Sequence, residues 1–156
     1  MQPRIERTRA GDFLLRLPAE ERELLRALPG QLRALLGTED PSLARLFPPA
    51  YPDDPEADAA YERLVHGELL AGRLEALRVM EATVDGERLD ERELTAWVGA
   101  LNDLRLVLGT RLDVTEEAYG APASSDDPRA PQLALFGYLS WLQEQAVEAL
   151  VAGLDS

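Results

Sequence analysis

At 156 residues the chain is long enough for one domain to bury a real core. Its net charge of −13 works against nucleic-acid binding, which depends on clustered cations neutralising phosphates. All sixteen basic residues are arginine and cysteine is absent, which removes Schiff-base and P-loop lysines, disulfides, thiolate nucleophiles and thiol switches.

Leucine and alanine dominate the apolar residues and Ile5 is the sole isoleucine, so the composition favours helices over a large sheet. In Phe13–Leu17 the apolar residues Phe13, Leu15 and Leu17 alternate, and Ala10-Gly11-Asp12 separates them from Arg4–Arg9, which predicts a β-hairpin over residues 4–17. A two-stranded hairpin is marginal alone, so it is expected to cover a helical core. Pro18 and the acidic residues after it open a helix over 18–37. Its leucines Leu24, Leu25, Leu28, Leu32, Leu35 and Leu36 keep helical phase across Pro29-Gly30, which predicts one helix kinked at Pro29.

Four prolines between Leu46 and Pro55 predict a rigid, extended strut over 46–55. Asp54 as N-cap and Pro55 at the first helical position then start a helix over 55–85. It runs through Tyr61, Leu64, Val65, Leu69, Leu74, Leu77 and Met80, with Gly67 and Gly72 as points of bending. Residues 90–112 form the clearest helix: Asp90 and Glu93 make a capping box, and Leu89 and Leu94 are placed as a hydrophobic staple. Residues 113–131 are small, acidic and Pro-containing, and predict an exposed loop with one short helix from Thr115. The last helix spans 131–153 and follows Asp127 or Pro131. The expected fold is mainly α, a single four-helix bundle-like domain with an N-terminal β-hairpin.

Much of the acidity lies at these helix starts, where carboxylates favour the positive end of the helix dipole, so the charge by itself names no partner. The only histidine, His66, follows Glu62 at i,i+4, a spacing that can present two metal ligands, but one histidine meets neither the di-iron nor the zincin pattern. No Walker loop, G-x-G-x-x-G or G-x-S-x-G occurs, so no catalytic residue and no cofactor or metal is expected. No apolar run reaches the roughly 20 residues that span a bilayer. The N-terminus lacks the apolar core of a signal peptide, so a cytoplasmic location without membrane contact is expected.

The polar residues of "LNDLRLVLGTRL" (Leu101–Leu112) carry two readings. Asn102, Arg105 and Gly109 share one face of the helix, and Arg105, among leucines, needs a carboxylate or carbonyl partner. In the first reading Asn102 and Arg105 tie the helix to its neighbours, with Asp53, Asp54 and Glu144 as acceptors. In the second, Asn102, Asp103, Arg105 and Arg111 line a groove with Tyr51 and Trp141 and bind a partner, since arginine, tyrosine and tryptophan commonly anchor interfaces.

Three long stretches go further: "LARLFPPAYPDDP" (Leu43–Pro55), "WVGALNDLRLVLGTRL" (Trp97–Leu112) and "DDPRAPQLALFGYLSWLQE" (Asp126–Glu144). Together they resemble the actinobacterial family of domains of unknown function often encoded beside the protease adaptor ClpS, which includes the oxidative-stress transcriptional regulator AosR. The resemblance implies a cytoplasmic, non-enzymatic regulator that acts through a sigma factor or RNA polymerase rather than by reading DNA. A thiol–disulfide sensor needs cysteines, so no redox switch is expected in this chain. No basic recognition helix of the helix-turn-helix type is present either. A homodimer is a further use that an exposed apolar surface would have.

Overall fold

The computed structural model describes residues 3–38, 40–43, 46, 47, 51, 53–111 and 128–153. Strands β1 (Ile5–Arg7) and β2 (Phe13–Leu15) form the expected hairpin, with Ile5 opposite Leu15 and Arg7 opposite Phe13. Gly11 makes the turn possible, since its φ of 95° lies in the left-handed region that residues with a Cβ rarely enter. The hairpin is not alone, however. A two-residue strand, β3 (Arg88–Leu89), pairs antiparallel with β2 and extends the sheet to the order β1-β2-β3. Two residues are too few to show a strand periodicity, which is why the sequence does not announce it.

Helix α1 (Ala19–Leu36) contains Pro29 without interruption, and Pro29 is buried together with Leu25, Leu32 and Leu36. The apolar phase that crosses the proline therefore belongs to one helix. Gly37 caps it, and a 3-10 turn (Pro41–Leu43) follows. In the strut Leu46 is buried and Phe47 half-buried, while Pro48, Pro49, Ala50 and Pro52 lie outside the described residues. Helix α2 (Pro55–Thr83) starts as expected, with the Asp54 side chain accepting from the Ala57 amide at 3.1 Å, and it runs unbroken through Gly67 and Gly72.

Helix α3 (Glu91–Arg111) opens on the capping box: the Asp90 amide donates to Glu93 Oε1 at 2.9 Å and the Glu93 amide to Asp90 Oδ1 at 2.7 Å. Leu89 and Leu94, the staple pair, are both buried. Helix α4 spans Ala130–Ala152 and its N-cap is Arg129, without a side-chain cap, so the helix begins before Pro131 and not after it. Pro131 instead occupies an early helical position, where its missing N–H is not needed. The loop and short helix expected within 113–127 lie outside the described residues.

The α3 helix is the centre of the bundle. It packs against α2 and α4, and touches α1, the 3-10 turn and β3. Its Leu94, Trp97, Ala100 and Leu101 are fully buried, and the indole N–H of Trp97 donates to Thr83 Oγ1 of α2 at 2.8 Å. The sheet closes one side of this core through Ile5, Phe13, Leu15 and Leu89, and β1 reaches α4.

Candidate functional site

The polar residues of α3 are drawn to different neighbours by the three positions they occupy around the helix. Asp103 is only 2% exposed and accepts from Nη1 of Arg73, an arginine of α2. Arg73 also donates from Nη2 to the carbonyl of Leu46 at 2.8 Å, and its guanidinium lies over the Phe47 ring at 5.4 Å. Phe47 in turn contacts the His66 ring, with centroids 4.7 Å apart. One arginine thus joins α2, α3 and the beginning of the strut. Burial pushes the Asp103 carboxyl above its ordinary value, and Arg73 opposes that shift without cancelling it.

Asn102 and Arg105 do share a face, and they bond each other: Arg105 Nη2 donates to Asn102 Oδ1 at 3.0 Å. Gln143 Nε2 of α4 approaches the same oxygen at 3.4 Å. Asn102 thereby serves as an acceptor between α3 and α4. The acceptor proposed from sequence at Asp54 is engaged elsewhere, on the first turn of α2. Arg111, at the end of α3, reaches Ser42 Oγ at 3.3 Å and Asp40 Oδ2 at 3.4 Å, fastening α3 to the 3-10 turn. Hydrogen bonds from Ser42, together with Arg111, hold the Asp40 carboxyl below its ordinary value.

Tyr51 and Trp141 do not join this set. Tyr51 sits edge-on to Tyr61 of α2, with ring centroids 6.1 Å apart. Trp141 lies beneath Arg4, 5.5 Å from its guanidinium, and beside Tyr138. The groove expected from sequence therefore resolves into separate contacts around the bundle. Arg4 and Glu21 form a two-pronged pair at 2.9 and 3.1 Å, Tyr138 donates to Glu21 at 2.7 Å, and the Arg4 amide donates to Gln145 at 3.0 Å. This set ties the start of β1 to α1 and α4. Burial and the Glu21 carboxylate push the Tyr138 phenol well up, so it stays a neutral donor.

Glu62 and His66 stand 3.7 Å apart along α2, and among the described residues no third carboxylate or imidazole completes a metal-binding group. A cleft of about 520 Å³ opens between α1, α3 and α4, walled by leucines such as Leu28, Leu104 and Leu135, with Arg111 among its lining residues.

Sequence reasoning overlooked Arg73, Gln143 and, above all, Arg22. The guanidinium of Arg22 donates to the carbonyls of Leu15, Leu17, Val84 and Gly86 at 2.6 to 3.1 Å, joining β2, the start of α1 and the turn after α2. Backbone acceptors have no residue signature, so nothing in the sequence points to this role.

Residues 1–150 match the model of a family described as a domain of unknown function, DUF2017. The chain belongs to that family. It is 33% identical over 132 residues to the putative oxidative stress regulator AosR of Mycobacterium leprae, an alignment that covers 73% of this chain and 60% of the relative. It is likewise 33% identical over 129 residues to the oxidative stress regulator AosR of Mycobacterium tuberculosis, covering 72% and 59%. The chain thus spans about 60% of the length of the curated relatives it matches. No solved structure matches it.

In this DUF2017 domain the stretches that carry the family resemblance meet around α3. Leu46 from the strut is linked to α3 through Arg73, and Gln143 from α4 reaches Asn102. The Arg73–Asp103 and Asn102–Gln143 contacts there link α3 to α2 and α4. No described helix is long and apolar enough to cross a membrane.

Proposed function

We propose that this chain is a non-enzymatic regulatory module that acts through protein contacts in the response to oxidative stress, with a sigma factor or RNA polymerase as the partner. The observation that carries this reading is its relationship to the mycobacterial oxidative stress regulators. The site chemistry supports it: among the described residues around α3, Asp103 is paired with Arg73, Arg105 with Asn102, and Arg111 with Asp40. The charge supports it too, since an acidic chain is better suited to basic protein surfaces than to a promoter.

Oxidant sensing belongs to the partner in this reading. The chain has no cysteine, and Met80, the one described methionine, is fully buried, so peroxide has no described sulfur within reach in the folded state. The test is affinity capture from the native cytoplasm with and without peroxide, with the purified sigma factors and polymerase then assayed individually for binding. Direct binding of one of them, changed by oxidising that partner alone, is the expected result. A purified protein that carries stoichiometric metal or turns over a metabolite, and binds none of them, would overturn the proposal.

A further inference from the structure

Helix α2 is 29 residues long, about 44 Å at 1.5 Å per residue, yet no residue from Pro55 to Ala76 is fully buried. Its first half nevertheless carries the apolar spacing of a packed helix. Tyr61, Leu64, Val65 and Leu69 fall at i, i+3, i+4 and i+8, the stripe that normally faces a core. Val65 is half-buried, but the other three face water: Leu64 is 79% exposed, Leu69 44% and Tyr61 41%, and Tyr51, packed edge-on against Tyr61, is 49% exposed.

The helix is also weaker than its neighbours by composition. Gly67 and Gly72 each disfavour helix by about 1 kcal/mol relative to alanine. In most helices such a cost is repaid by close packing, but a Cβ at either position would meet nothing within 4 Å. Within this chain, then, the first half of α2 has an apolar stripe without a core and two glycines without a neighbour.

The charge around the stripe says what would cover it. Residues 53–69 hold six carboxylates (Asp53, Asp54, Glu56, Asp58, Glu62 and Glu68) against one arginine, Arg63. A second copy would bring the same carboxylates against themselves, which disfavours a symmetric pairing of these faces. We infer that the Tyr61–Leu64–Leu69 face of α2 is a docking surface for a basic amphipathic helix of a partner protein, which lays apolar residues on the stripe and sets arginines or lysines against the flanking carboxylates. The inference rests on the protein-contact reading above and gives that reading a surface.

The probe is a synthetic amphipathic peptide with leucines on one helical face and Lys and Arg on its flanks, compared with the same leucine face flanked by Glu. Binding is followed by fluorescence anisotropy, and amide hydrogen exchange of residues 55–70 locates it. The basic peptide is expected to bind and to slow exchange in 55–70. Leu64→Asp, at an exposed position, is expected to weaken it at least about tenfold while leaving circular dichroism and Tm unchanged. Raised salt should weaken binding as well.

Equal binding of the acidic peptide, or full binding by L64D, or protection that appears elsewhere, would overturn the surface. So would a self-association of the free protein that protects 55–70 and is lost in L64D, because the occupant would then be a second copy. A failed peptide experiment beside successful capture of a sigma factor or polymerase rejects this surface and leaves the regulatory reading standing; failure of the capture alone does the reverse.

Discussion

The two halves of α2 teach different lessons from one continuous helix. Beyond Ala76, Leu77, Val79 and Met80 are buried, and Thr83 accepts the Trp97 indole; Arg73, just before, is clamped to Asp103 and Leu46. Before Gly72 the helix rests on its Asp54 cap, on the Phe47–His66 contact and on Leu70, which is half-buried against the core. Caps and spacing decide where a helix starts, and a core decides how firmly it holds. Native-state hydrogen exchange should therefore divide α2, with amides at 58–70 exchanging well before those at 77–83. Uniform protection along the helix would break the comparison.

The largest effect is expected at the clamp that anchors the supported half. Asp103→Ala leaves the Arg73 guanidinium half-buried without its counter-charge, and should lower unfolding free energy by about 3 kcal/mol in urea. The pH dependence has a definite sign. Burial raises the Asp103 carboxyl in the folded state, so its contribution to stability is greatest below the ordinary aspartate range and declines as pH rises through the raised value. Asp103→Asn should abolish that decline. Arg22→Ala should follow at about 2 kcal/mol, because four carbonyls lose a charged donor together.

Glu21 should titrate in the opposite sense to Asp103. Burial pushes its carboxyl up, but the hydrogen bonds from Arg4 and Tyr138 outweigh burial and leave it below its ordinary value. Its stabilisation is therefore present above the ordinary glutamate range and is lost as pH falls through the folded value. Wild type should exceed Glu21→Gln by about 1 kcal/mol near neutral pH, with the gap closing in acid. A gap that persists at low pH would mean that packing, not charge, carries the contribution.

These contrasts also mark what could be read in the sequence. The capping box at Asp90, the Asp54 cap and the leucine phase across Pro29 are local signals, and each appears in the fold where the residues place it. Tyr61, Leu64, Val65, Leu69, Leu74, Leu77 and Met80 read as the apolar residues of one helix, and the structure leaves Tyr61, Leu64 and Leu69 exposed while it buries Leu77 and Met80. Periodicity reports a face, and only tertiary packing reports what covers it. The polar residues of α3 show the same limit. Asn102 and Arg105 were legible as neighbours three positions apart, whereas Asp103 found its partner, Arg73, thirty residues away on another helix.

The smallest effect bears most directly on the exposed half of α2. Gly67→Ala and Gly72→Ala introduce a methyl group where nothing lies within 4 Å, so neither meets steric resistance. Each should strengthen the helix locally by about 0.5–1 kcal/mol. If residues 55–70 open separately from the core, the gain appears as slower hydrogen exchange in that stretch, with little change in the global Tm. If the whole helix unfolds with the core, the same gain raises Tm directly. The local outcome is the one expected, because no buried side chain couples the first half of α2 to the bundle's interior. The glycines then mark a segment whose stability is left to be supplied from outside, and a partner helix that needs close approach there should bind the Ala variants more weakly than wild type despite their better-formed helix.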